Sequence, residues 1–462
     1  MKNLVSVAVI AALTTFNAHA VRLGSDVAES DYSDYVVRFE VKDTTGQTAT
    51  CGGLLVAGEY IVTAGHCVGA YNHNGANTEY LWWSDNGASN SISVFQGVEY
   101  FADKKTETTY RVVDILSSFT DVHAAANVEV DAVKANYPTS NWAQHDFVFT
   151  DSYLTGAFHH DIALVKLNTK ISQTTHAAMT PMYDSVNNAF NVAGDDSFTF
   201  RGWGVNEFLE RPSTMQSTEL VLKSDDPTWT SGAHYIPNAP RDNSTDDPCV
   251  NVGTELCVYP LMDFSFLYPT TLTATPSSGD SGTPLEINKN HVFSIAKAEH
   301  LSINPEWVQL TNLGWYLPVI ADQVNKVVAP SHMEFTYQEG VSETKTVKVA
   351  FQNLTGLTET LNPYLLGDTS VFSVSGCNTA LQPLESCEIS LTIVGEANYA
   401  VVNMFLGDSN DTVVPVEYMA ELTSDSDAST DDSSNAGGGG GGGTVGWMTL
   451  FAMFALIGAR RK

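Results

Sequence analysis

The chain has little positive charge, no cysteines spaced to hold a metal, and no apolar run long enough to cross a bilayer comfortably. Its 462 residues carry 22 Lys and Arg against 53 Asp and Glu, a formal net charge of −31. A surface so acidic repels a phosphate backbone, which excludes nucleic acid as a partner, and it keeps an exported protein soluble. The 6 cysteines never occur as Cys-x-x-Cys, so zinc binding through thiolates and dithiol redox chemistry are excluded. No ladder of carboxylates of the calcium-loop kind is present. The apolar runs from Leu4 to Phe16 and from Val445 to Ala459 both fall short of the ~20 residues of a spanning helix. Long amphipathic helical patterns are missing as well.

Short runs of Val, Ile, Thr, Tyr and Phe, broken by Gly, Asn, Asp and Ser, fill most of the chain and predict strands and turns. The fold class expected is all-β. The length exceeds what one core supports and predicts two or three domains. Beyond Val328 the pattern changes to stretches such as Thr346-Val347-Lys348-Val349-Ala350-Phe351 and Glu388-Ile389-Ser390-Leu391-Thr392-Ile393-Val394. A region of that length and alternation suits an immunoglobulin-like β-sandwich, acting as a spacer or as a surface-binding module.

Three segments far apart in sequence fit one reaction: Thr63-Ala64-Gly65-His66-Cys67, His160-Asp161-Ile162-Ala163-Leu164 and Gly279-Asp280-Ser281-Gly282-Thr283-Pro284. A serine hydroxyl is a poor nucleophile unless an imidazole takes its proton. The imidazole in turn needs a buried carboxylate to fix its tautomer. His66, Asp161 and Ser281 have the chemistry for those roles, and the reaction needs no cofactor.

The order and flanks of these segments resemble the trypsin/chymotrypsin family of serine endopeptidases. Cys51-Gly52-Gly53-Leu54-Leu55, Gly202-Trp203-Gly204 and Trp315-Tyr316-Leu317-Pro318-Val319-Ile320 extend the resemblance from Val21 to Val328. It implies two antiparallel six-stranded barrels, a peptide or protein substrate, and an oxyanion hole from the backbone N–H groups of Gly279 and Ser281. It also implies a Cys51–Cys67 bridge. Nearness in sequence adds Cys249–Cys257, which resembles a further family bridge, and Cys377–Cys387. The interval between His66 and Asp161 is long for the family and predicts a surface loop near Tyr137 to Phe158.

Departures cluster at the specificity pocket. Thr275 stands where a trypsin-like enzyme has Asp, Ser277 stands where a bridging cysteine is usual, and Thr283 replaces a glycine. Lys297-Ala298-Glu299 occupies the place of Ser-Trp-Gly, and Val308 that of another wall glycine. Glu299 is read as a candidate charge for a basic side chain, against the alternative of a solvated surface glutamate. A catalytically silent homologue acting as a surface-binding protein is the alternative to an endopeptidase, and an adhesive surface protein is another.

The ends carry sorting information. Lys2, the apolar run and Ala18-His19-Ala20 read as an export signal cut by signal peptidase before Val21. By the resemblance, a freed Val21 amine would insert beside Asp280 and order the site. Cleavage after Arg22 is the alternative. At the other end, a Ser- and Asp-rich linker, glycines from Gly437 to Gly443, an apolar stretch and Arg460-Arg461-Lys462 resemble the GlyGly-CTERM sorting signal of exported bacterial proteins. That resemblance implies transient membrane association, cleavage by a rhomboid-type protease, type II secretion, and release to the medium or the cell surface. The expected domains are 1–20 (signal peptide), 21–327 (peptidase), 328–422 (sandwich), 423–443 (linker) and 444–462 (sorting helix).

Overall fold

Strand alternation in this chain serves two cores at once, because several strands are apolar on both faces. In the computed structural model, the residues described are 24–74, 77–85, 90–101, 104–113, 115, 161–181, 183–184, 189–191, 197–205, 210–221, 263–267, 276–300, 307–338, 344–367, 369–394, 399–406 and 412–421. The export segment, Val21, the loop expected near 137–158, Cys249, Cys257, Thr275 and the whole sorting tail lie outside them.

Six strands close a barrel: β1 (Val36–Lys42), β2 (Thr48–Val56), β3 (Tyr60–Thr63), β4 (Ser91–Gln96), β5 (Lys104–Val113) and β6 (Ala163–Leu167). Their order is β1-β2-β3-β6-β5-β4, with β4 returning to β1, and every pairing is antiparallel. Closure removes the unpaired edges that an open sheet would expose. Val37, Phe39, Leu55, Ile61, Val94, Ala163 and Val165 fill one core. Their chain neighbours Val36, Leu54, Val62 and Leu164 belong to a second core, shared with Phe198, Phe200, Leu285, Phe293, Ile295 and Leu310. The period of two along a strand sends successive side chains to opposite faces, so one barrel wall serves both cores.

A second set of strands is β7 (Ser197–Gly202), β8 (Gln216–Val221), β9 (Asp263–Leu267), β10 (Pro284–Asn288), β11 (His291–His300) and β12 (Trp307–Asn312), and the residues named above that share the second core lie on β7, β10, β11 and β12. They pair antiparallel in the order β8-β7-β10-β11-β12-β9, with Ser25–Asp26 added beside β8. A β8–β9 ladder that would close a second barrel is not among the pairings of the described residues. After β12, Asn312 Oδ1 accepts the Gly314 N–H at 2.9 Å and starts a helical turn. It leads into α1 (Leu317–Val324), which buries Leu317, Ile320, Ala321 and Val324 and ends at Asn325 with φ 44°.

Two four-stranded sheets come next along the chain. One orders Val327–Val328, β14 (Thr344–Asn353), β17 (Ser386–Val394) and β16 (Phe372–Gly376). The other orders β13 (Met333–Gln338), β19 (Thr412–Glu421), β18 (Tyr399–Leu406) and β15 (Tyr364–Gly367). Both contribute to one core, with Phe351, Ile389, Leu391 and Ile393 from the first and Ala400, Val402, Met404, Val414 and Val416 from the second. Cys377 and Cys387 are bridged there, as their nearness in sequence predicts. The buried Gln352 side chain ties this region to the earlier one: Oε1 accepts the Met179 N–H at 3.0 Å, and Nε2 donates to Met179 O at 2.8 Å.

Candidate active site

The barrel register brings the first two chemical segments together. Thr63 at the end of β3 pairs with Ala163 at the start of β6. Because the two strands are antiparallel, the residues after Thr63 and those before Ala163 emerge at the same end of the ladder. His66 sits on the helical turn Gly65–Cys67, held by the Cys51–Cys67 disulfide to β2. Asp161 accepts two hydrogen bonds from His66: the backbone N–H on Oδ1 at 2.9 Å and ring Nδ1 on Oδ2 at 2.8 Å. The carboxylate side chain is 8% exposed and the imidazole 46%. One edge of the ring is thus tied to a buried charge while the residue stays open to solvent. The ring also lies within 4.8 Å of the sulfurs of Cys51 and Cys67, but these are bonded to each other and offer no thiolate to a metal ion.

The Ser281 segment is anchored to the same structure. Gly52 N–H donates to Ser281 O at 2.9 Å, and Cys67 Sγ lies 3.6 Å from that oxygen. The next residue, Gly282, has φ +82°, and a Cβ there would lie 2.0 Å from Thr63 Oγ1 and 2.5 Å from Gly52 O. Only glycine combines that dihedral with so close an approach to the strand ends beside His66. Thr283 stands where the resemblance leads one to expect a glycine, and the structure accommodates it over Gly52. A Cβ on Gly52 would fall 1.9 Å from Thr283 Oγ1, so the space saved by one glycine is used by the threonine.

Asp280 is buried and held by two backbone donors, Gly204 N–H at 2.6 Å and Ser277 N–H at 2.9 Å. Burial pushes its carboxyl up to about 7, against the opposing pull of these bonds and of the Arg211 charge. A Cβ on Gly202 would lie 2.0 Å from Asp280 Oδ1, and one on Gly204 would lie 2.3 Å from Oδ2. The Gly202-Trp203-Gly204 motif is therefore a cradle for this carboxylate. Where the resemblance leads one to expect a cysteine, Ser277 Oγ donates to Val205 O, and Val205 N–H donates to Ser278 O at 3.0 Å. Hydrogen bonds clasp the loop at the position of the missing bridge.

Of the pocket residues, Glu299 and Val308 lie on described strands, directly opposite each other in the β11–β12 ladder. Strand β11 is coupled to the Ser281 loop three residues earlier. Gly282 N–H donates to Ala296 O at 2.7 Å, and Ala296 N–H donates to Thr283 O at 2.9 Å. The sequence patterns do not reveal the contact of Thr63 with Gly282 or the placement of Arg211 beside Gly279. Thr63 lies inside a recognised segment, whereas nothing in the sequence around Arg211 marks it.

Comparisons with known proteins agree in part. The family model Trypsin matches residues 23–116, so a trypsin-like domain signature covers the first five barrel strands and His66 and stops before Asp161 and Ser281. Two curated proteins, the chymases of Papio hamadryas and Macaca fascicularis, are each 23% identical over 202 residues, 44% of this chain. The chain spans 60% of the length of these relatives. Among solved structures, the secreted serine protease VesC from Vibrio cholerae is 13% identical with a TM-score of 0.37, covering 86% of this chain and 71% of that one. The VesB protease of Vibrio cholerae is 13% identical with a TM-score of 0.35, covering 87% of this chain and 100% of that one.

Proposed function

We propose that this chain is an exported serine endopeptidase that cleaves peptide bonds through an acyl-enzyme on Ser281. The observation that carries the reading is the doubly bonded His66–Asp161 pair, with Ser281 O bonded to the Gly52 N–H and Gly282 packed close to Thr63, beside the strands that hold His66. Asp161 fixes the imidazole with its proton on Nδ1, which makes Nε2 the basic nitrogen. His66 takes the Ser281 proton as the hydroxyl attacks a peptide carbonyl, then returns it to the departing amine. Water repeats the cycle on the acyl-enzyme. The N–H groups of Gly279 and Ser281 receive the oxyanion, and fixed backbone donors suit that task because they need no reorganisation during the reaction.

The β7–β12 sheet is read as the second barrel, and the two later sheets as an immunoglobulin-like sandwich. Glu299 and Val308, facing each other across one ladder, are assigned to the walls of the specificity pocket. Val21, freed by signal peptidase, would bring its ammonium to Asp280, a carboxylate whose pKa is raised by burial. The tail would pass through a rhomboid-type protease and the type II secretion machinery.

Labelling with a fluorophosphonate tests the central assignment, since only an activated serine reacts. Purified secreted protein should react at Ser281, and Ser281→Ala should abolish both labelling and peptide hydrolysis while leaving secretion intact. An unreactive but folded wild-type chain would instead favour a silent homologue that binds surfaces.

A further inference from the structure

Arg211 belongs to none of the recognised segments, yet its guanidinium rests on the loop that carries the proposed oxyanion donors. Nη1 donates to Trp203 O at 3.2 Å and to Ser278 O at 3.3 Å. Val205 N–H reaches the same Ser278 oxygen at 3.0 Å. A Cβ added to Gly279 would stand 2.0 Å from Nη1, so the guanidinium occupies the space a side chain there would take.

Peptide geometry turns this contact into a constraint on the loop. Ser278 C=O and Gly279 N–H belong to one planar trans unit, in which the two bonds point in opposite directions. Donors that hold Ser278 O on one side of the chain hold Gly279 N–H toward the other. Among the described residues, neither Gly279 N–H nor Ser281 N–H donates a hydrogen bond. Gly279 has φ +105°, and a glycine can turn its peptide plane over at small steric cost. The loop also has Ser277 where the family bridge would pin it. Its orientation therefore depends on non-covalent holds.

Resting on the reading of Ser281 as nucleophile, we propose that Arg211 is a positioning residue: it locks the Ser278–Gly279 peptide plane and so aims the Gly279 N–H at the developing oxyanion. Its Nη1 reaches two carbonyls at once, Trp203 O and Ser278 O. A lysine supplies the charge on a flexible stem rather than in a rigid planar group, so Arg211→Lys should keep only part of the effect.

The test compares wild-type, Arg211→Lys and Arg211→Gln protein by second-order rate of fluorophosphonate labelling, by kcat and KM on one cleaved peptide, and by melting temperature. Arg211→Gln should lose about 10- to 100-fold in labelling rate and kcat, less than the ~10²–10³ lost with a whole oxyanion donor. KM and melting temperature should barely move, and millimolar guanidinium should restore part of the lost rate in this variant alone. Arg211→Lys should fall between, and it carries the test should the glutamine variant not fold. Variants that label at the wild-type rate, or that lose rate only in proportion to lost folded protein, would overturn the proposal while leaving Ser281 as nucleophile. A wild-type chain that fails to label would overturn both.

Discussion

Replacing Asp161 by Asn changes one atom at the centre of the proposed machinery. Asp161 now accepts twice from His66, on Oδ1 from the backbone N–H at 2.9 Å and on Oδ2 from ring Nδ1 at 2.8 Å. Asparagine has the same shape but only one acceptor oxygen. The backbone N–H can only donate, so the amide oxygen takes the Oδ1 position and the NH₂ faces Nδ1. Nδ1 must then accept, the ring proton moves to Nε2, and Nε2 can no longer take the proton of Ser281. The opposite amide orientation sets two N–H groups against each other and gains nothing. The loss also removes the buried negative charge that stabilises the imidazolium in the transition state. In a Ser-His-Asp protease this change costs ~10⁴ in kcat, or roughly 5.5 kcal/mol at about 1.4 kcal/mol per tenfold. Folding should not suffer, because a neutral amide is easier to bury than a carboxylate. The assay is kcat on a cleaved peptide together with melting temperature. A folded Asp161→Asn protein that keeps more than about a tenth of wild-type kcat would refute the assigned role.

Other perturbations probe the frame around the site. Gly282→Ala forces φ +82° on a residue with a Cβ and drives that atom to 2.0 Å from Thr63 Oγ1. It should cost about 1–3 kcal/mol and most of the labelling at Ser281, and an unchanged melting temperature would contradict the close approach. Burial pushes His176 down to about 3, and neither ring nitrogen has a hydrogen-bond partner. Between about pH 6.5 and that value the unfolded chain binds a proton that the folded chain refuses. Stability therefore falls with falling pH, by up to about 1.4 kcal/mol per unit from this residue. His176→Leu should move the acid-unfolding midpoint to lower pH, and an unmoved midpoint would rule this out. N-terminal sequencing of active secreted protein should read Val21, with a C-terminus between Gly437 and Gly443. A start at Leu23 or later would replace direct activation by a propeptide step.

The local parts of this protein are written in the sequence. Period-two alternation marks the strands, because backbone geometry puts successive side chains on opposite faces. His66, Asp161 and Ser281 are legible because each sits in a short segment whose neighbours are also constrained: a disulfide at Cys67, a strand start at Ala163, a left-handed glycine at Gly282. Cys51–Cys67 and Cys377–Cys387 obey the same logic, since their short separations of 16 and 10 residues make the bridges local. The tertiary structure alone decided which atoms from distant segments share a space. That Val36 faces one core and Val37 another depends on a second sheet beginning some hundred and sixty residues later. Gly202 and Gly204 read as a motif, but only the fold sets Asp280 into the space their missing side chains leave. Thr283 over Gly52, Gln352 on Met179 and Arg211 on Gly279 have no local signature. A sequence pattern records the faces that a backbone period repeats, whereas these contacts are single meetings of chain segments fixed by how the sheets pack.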